Sequence, residues 1–256
     1  MSVTSLRVEA KVLARLAAPV VFGQVGLMAL GVVDTLMVGH LGVAEELAGV
    51  ALGNSWSWGL VVFALGASAG LDPALTQAHG ARDGDAYDRA VAMGALLLAI
   101  LCVPIVLGHL FTEVALGALG QPVEVLGLSG AYNRAIAWGV GPFIFFSLLR
   151  QGMQAREVMR PAVWAIALGN LVNVPANLFF IEGGFGWEGM GPVGVGWSTT
   201  IVRWTMFLAI AVTAGRERRG ISRGLARTTD RLRRTWRLAT TARAFRCWCV
   251  CWPAVH

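Results

Sequence analysis

An aspartate inside a long apolar run is the residue of this chain whose chemistry most needs explaining. Asp34 lies in Gly31-Val32-Val33-Asp34-Thr35-Leu36-Met37-Val38-Gly39. A carboxylate facing hydrocarbon costs a few kcal/mol unless it has a partner, a wet cavity or a bound cation. Further on, Asn170, Asn173 and Asn177 recur at spacings of three and four, which places three amides on one helical face. Pro175 within that run removes a backbone N–H and frees a carbonyl. Amides and freed carbonyls can coordinate a desolvated cation or hydrogen-bond a substrate, as the broken helices of secondary transporters do. Each signal also has a plainer reading. An aspartate at the outer membrane boundary is simply solvated, and intramembrane asparagines also serve as hydrogen bonds that pack a bundle.

Other reactive residue types do not assemble into an enzyme. His40, His79 and His109 fall at the ends of apolar runs and His256 is terminal, so no histidine pair has helical metal-ligand spacing. No nucleophile, base and acid set is visible, and no phosphate-cradling glycine loop. Cys102 sits inside an apolar run, while Cys247, Cys249 and Cys251 alternate at the C-terminus. That spacing implies no disulfide framework and is weak for a metal. We therefore expect no catalytic residue, no metal site and no cofactor.

The elements that must position these groups are membrane helices. The chain is 56% hydrophobic and 14% charged, against about 25% charged in soluble domains, and its mean hydropathy is +0.63. Apolar runs predict spans near 14–39, 47–76, 91–111, 125–149, 162–182 and 190–214. Arg82 and Arg89 lie between the second and third, and Arg150, Arg156 and Arg160 around the turn from fourth to fifth. The alternate turns carry Glu45 and Glu46, Glu113, and Glu188 without Lys or Arg. Basic loops stay in the cytoplasm, so a multi-pass protein of the cytoplasmic (inner) membrane with both termini in the cytoplasm is expected. Small residues such as Gly23, Gly26, Gly66 and Gly70 let the helices approach closely. Pro19, Pro104, Pro142 and Pro175 predict kinks.

The net charge of +6 is unevenly placed. Residues 216–256 hold 11 of the 21 basic and 2 of the 15 acidic residues, leaving a body of net charge −3. Such a tail is attracted to anionic headgroups rather than to nucleic acid. The predicted organisation is a cytoplasmic N-terminus over 1–13, a transmembrane lobe over 14–215, and a basic tail over 216–256 that reads as disordered or frameshifted. Met1–Arg15 is too polar for a cleavable signal peptide.

Four segments, in order, resemble the N-terminal half of the multidrug and toxic compound extrusion (MATE) transporters. They are Ala18-Pro19 with Val33-Asp34-Thr35-Leu36-Met37-Val38-Gly39-His40-Leu41-Gly42; Pro73-Ala74-Leu75-Thr76-Gln77-Ala78-His79-Gly80-Ala81-Arg82; Arg150-Gln151-Gly152 through Arg160-Pro161; and Asn173-Val174-Pro175-Ala176-Asn177-Leu178-Phe179-Phe180-Ile181 with Met190-Gly191-Pro192-Val193-Gly194-Val195-Gly196-Trp197-Ser198-Thr199. The resemblance implies an all-α membrane protein, a six-transmembrane-helix bundle equivalent to one lobe of two related by an internal repeat. It implies export of small, often cationic organic compounds driven by Na+ or H+ re-entry, with Asp34, Asn173, Asn177 and Thr199 as the cation or proton site. Some relatives carry aspartate at the position of Asn177, so the resemblance leaves the ion open.

Gln24, Asn54 and Asn170 are the candidates for a substrate cavity. The second lobe of the family is missing, so the expected partners are the bilayer and either another copy of the chain or a separate C-terminal lobe. Two alternatives remain: a lipid or polysaccharide flippase, for which Arg134 and Arg203 would supply cationic groups, and an inactive truncated fragment.

Overall fold

A computed structural model of the chain describes residues 3–40, 43–184 and 186–217. Most of the basic tail, including Cys247, Cys249 and Cys251, lies outside the described residues. The fold is all-α apart from one small hairpin, with elements α1 (Val3–Gly39), α2 (Ala44–Ala69), α3 (Asp72–Gly80), α4 (Gly84–Leu110), α5 (Thr112–Ala118), α6 (Val123–Ala155), α7 (Arg160–Glu182), β1 (Gly183–Gly184), β2 (Trp187–Glu188) and α8 (Val193–Glu217).

Local signals explain several boundaries. Asp83 caps α4 by accepting the Ala86 N–H at 2.8 Å, which satisfies one of the free donors of a helix start. Pro73 and Pro161 stand in the first turns of α3 and α7, where their missing N–H costs nothing. Helix α7 stops at Gly183, whose φ of 84° is closed to most side chains. Pro19, Pro104, Pro142 and Pro175 all lie inside helices.

Among the described residues, five helical stretches are long and apolar enough to cross a membrane: Ala17–Gly39, Ala44–Gly80, Gly84–Leu110, Arg160–Glu182 and Val193–Ala214. The predicted span over 125–149 falls on α6, which is long enough but is not among these five. Its position explains its composition. Helix α6 packs on α2, α4 and α8, and its buried residues include Ser129, Asn133, Ser147 and Gln151. A helix wrapped by other helices can carry polar side chains that lipid would reject, provided each finds a partner.

Many do. Ser129 Oγ donates to the Gly49 carbonyl at 2.7 Å, and Asn133 Nδ2 donates to the Gly53 carbonyl at 2.9 Å. Ser68 and Gln151 are hydrogen-bonded to each other. These bonds stitch α2 to α6, and Gly49 and Gly53 admit them because neither has a side chain in the way. A Cβ added at Gly53 would stand 2.9 Å from Asn133 Nδ2 and 2.9 Å from Tyr132 Cδ1. Between α2 and α4, Ser57 Oγ meets His109 Nε2 at 2.9 Å, and His109 Nδ1 meets the Ile105 carbonyl at 2.8 Å.

Helix α1 lies at the margin and packs mainly on α7. Its Val21, Phe22, Val25, Met28, Val32 and Leu36 are exposed, as suits a helix facing hydrocarbon. Three long helices therefore frame Asp34: α1 carries it, and α7 with its partner α8 backs it.

Candidate cation and substrate sites

Asn173 and Asn177 are one helical turn apart on α7, and both are buried. Their Nδ2 atoms donate to the same oxygen, Asp34 Oδ1, at 2.8 and 2.7 Å. The other carboxylate oxygen, Oδ2, accepts from Thr199 Oγ1 of α8 at 3.0 Å. Three side chains from α7 and α8 thus converge on the one carboxylate that α1 supplies. Ser198 Oγ approaches the Asn173 carbonyl at 3.4 Å, which adds a long contact between α7 and α8.

Polar capacity remains around this cluster. Asn173 Oδ1 and Asn177 Oδ1 are buried without a hydrogen-bond partner. A buried amide oxygen left unpaired costs about 1–3 kcal/mol, so two of them beside one carboxylate need a reason. Turned about their Cβ–Cγ bonds, both amides would present these oxygens to the carboxylate. That arrangement is repulsive unless a cation or proton lies between them.

Pro175 does not contribute in the way its position in the sequence suggests. Pro175 and Leu171 are exposed while Asn173 and Asn177 are buried, so the carbonyl that the proline frees lies on the opposite side of α7 from the amides. Asn170, on the same face as Asn173, is a tie between helices. Its Nδ2 donates at 2.9 Å to the carbonyls of Gly26 on α1 and Ile166 on α7.

Gln24 and Asn54 lie on two neighbouring grooves between α1 and α2. Gln24 lines the first, of about 390 Å³, together with Trp58, Phe143, Phe146, Ser147 and Arg150. Asn54 lines the second, of about 520 Å³, with Thr35, Val32 and Leu36. Both grooves include Leu27, Met28 and Trp58. The chain sequence suggested Gln24 and Asn54 but gave no sign that Ser147, Phe143 and Phe146 would join them. Those residues read as core of an apolar run, and only the packing of α6 brings them to the groove.

The two arginines of the flippase alternative stand elsewhere. Arg134 pairs with Glu113 at 3.3 Å, and both side chains are half exposed. Arg203 is buried with its guanidinium 4.9 Å from the centre of the Phe143 ring. No group of three or more His, Cys, Asp or Glu that could hold a metal ion occurs among the described residues.

The MatE family model matches residues 19–179. The multidrug resistance protein MdtK of Cronobacter sakazakii is 33% identical over 204 residues, which are 79% of this chain and 44% of that protein. The multidrug resistance protein NorM of Vibrio parahaemolyticus is 31% identical over 81% of this chain and 46% of its own length. A crystal structure of MATE in the bent conformation superposes with a TM-score of 0.70 at 25% identity, covering 79% of this chain and 44% of the other. The chain spans about half the length of the curated relatives it matches. With an all-α membrane fold and a family model that covers more than half of its residues, the chain belongs to the MatE family of membrane transporters.

Proposed function

We propose that the chain forms the N-terminal lobe of a cation-coupled exporter of small organic compounds in the cytoplasmic membrane, with both termini in the cytoplasm. The observation that carries this reading is the carboxylate of Asp34, held by Asn173, Asn177 and Thr199, with two buried amide oxygens unpaired beside it.

The cluster has the groups for two alternative states. Without a cation, the amide N–H groups face Asp34 and satisfy its charge. With Na+ bound, oxygens of Asp34, Asn173, Asn177 and Thr199 would face the ion, in keeping with the preference of hard cations for oxygen. With H+ as the coupling ion, a protonated Asp34 would donate to an amide oxygen. In either case the bonds that tie α1 to α7 and α8 change when the ion arrives, which gives the ion different affinities for two arrangements of the lobe. Differential affinity is the requirement for coupling. The chain spans about half the length of the relatives it matches, and the export cycle needs the second lobe as well.

Expression of the chain in a bacterium lacking its own exporters, with efflux of a fluorescent cationic dye recorded under an imposed Na+ or H+ gradient, tests the reading. Gradient-dependent efflux that disappears in the Asp34→Asn protein supports it. Efflux of equal rate in that variant would overturn the role of Asp34.

A further inference from the structure

The groove at the Arg150 end of α6 carries a charge of the same sign as the dyes just named. Arg150 is the only ionisable group among the described residues that line it. Its Nε is buried without a partner, and its Nη1 makes a single long contact of 3.4 Å, to Gln24 Oε1. Ser147 stands three residues earlier on α6, on the same helical face. Its side chain is 3% exposed, and its Oγ also has no partner. Asp72, whose charge reaches Arg150 through space, forms no ion pair with it among the described residues.

Beside these two unpaired donors stands an aromatic wall. Trp58 meets Phe143 edge to face with centroids 6.4 Å apart, and Phe143 stacks on Phe146 at 6.4 Å. The groove continues past Leu27 and Met28 into its neighbour, lined by Val32 and Leu36. One end therefore offers a guanidinium and a hydroxyl, and the remainder offers aromatic and aliphatic surface. A guanidinium is donor-only and permanently charged, and it suits the oxygens of a carboxylate, sulfonate or phosphate ester. An organic cation would stack on the same aromatic rings but would be repelled by Arg150.

We propose that this groove binds a single-headed anionic amphiphile, its acidic head on Arg150 and Ser147 and its apolar body along Trp58, Phe143 and Met28. In the topology proposed above the head lies toward the cytoplasmic end. The binding claim stands by itself, whereas the claim that the occupant is cargo rests on the transport function proposed above. The same head chemistry belongs to a soluble aryl or alkyl acid and to an anionic phospholipid.

The test uses the full chain in phosphatidylcholine nanodiscs, with protein-free nanodiscs as the blank and no ion gradient. Binding of 8-anilinonaphthalene-1-sulfonate is compared with binding of ethidium by equilibrium dialysis. We expect saturable binding of the sulfonate, a loss of ten-fold or more in affinity for Arg150→Gln, a smaller loss for Ser147→Ala, and substantial recovery in Arg150→Lys. Thermal unfolding of each variant checks that it is folded. Equal affinity for ethidium, or sulfonate binding indifferent to Arg150→Gln in a folded protein, would overturn the proposal.

Nanodiscs doped with phosphatidylglycerol then separate the sources. Competition seen in the native chain but absent in Arg150→Gln assigns the groove to a lipid head, and no competition assigns it to a soluble acid. Because no gradient is applied, failure here leaves the role of Asp34 in ion coupling intact. Failure of ion coupling likewise leaves the groove.

Discussion

Replacing Thr199 by valine removes one hydroxyl and almost no volume. Thr199 Oγ1 is the only partner of Asp34 Oδ2 among the described residues, at 3.0 Å. In the Thr199→Val protein one oxygen of a partly buried carboxylate loses its donor, and leaving such an acceptor unmet costs about 1–3 kcal/mol. A structure of this length loses roughly 2–4 °C in unfolding midpoint per kcal/mol, so the expected fall is roughly 2–12 °C in buffer free of the coupling ion. Saturating Na+, or acid if the ion is H+, supplies the missing charge partner and should narrow the deficit. Thr199→Ser keeps the hydroxyl and should stay within a few degrees of the native chain. The assay is thermal unfolding of the purified chain in non-ionic detergent, with choline replacing Na+ to hold ionic strength constant. A Thr199→Val protein as stable as the native chain in ion-free buffer would refute the reasoning, because the Asp34 to Thr199 bond would then carry no weight.

Two further outcomes follow from the packing. Gly53→Ala pushes a methyl against Asn133 and Tyr132 and should destabilise by about 1–3 kcal/mol, whereas Gly59→Ala, inside α2 with nothing within 4 Å of the added atom, should keep or slightly raise the unfolding midpoint. Ser57→Ala leaves the Nε2 of a fully buried His109 without its donor. Its expected cost is again about 1–3 kcal/mol, read as a lower midpoint in the same assay.

The Asp34 cluster could be read in outline before the fold was known, because its signals are local. One carboxylate in an apolar run and two amides four residues apart are each visible on a single helix. Assigning them with Thr199 to a cation site required the family resemblance, and the geometry brings all four side chains together. Pro175 misled for an equally local reason. Its spacing from Asn173 and Asn177 is two residues, which on a helix is the opposite face. Asn170 shares the favourable face, and its neighbour on that face is the Gly26 carbonyl, so it fastens α1 to α7.

The groove that Gln24 and Arg150 line could not be read from any one segment. Gln24 comes from α1, Trp58 from α2, and Ser147 and Arg150 from α6. The helix that supplies the last two is also the one whose polar residues make it a poor apolar span. Arg150 reads in the sequence as a charge beside a cytoplasmic turn, and the packing of α6 also makes it the cationic group of the groove. Interior position, rather than composition, decides what α6 can carry.

The central claim is that Asp34, with Asn173, Asn177 and Thr199, takes the coupling cation. Equilibrium binding of radioactive sodium to the purified chain, with proton uptake followed in the same weakly buffered sample, tests it most directly. The native chain should show saturable Na+ binding or proton uptake of about one ion per site, and the folded Asp34→Asn protein should show neither. An Asp34→Asn protein that took up the same ion with the same affinity would contradict the account.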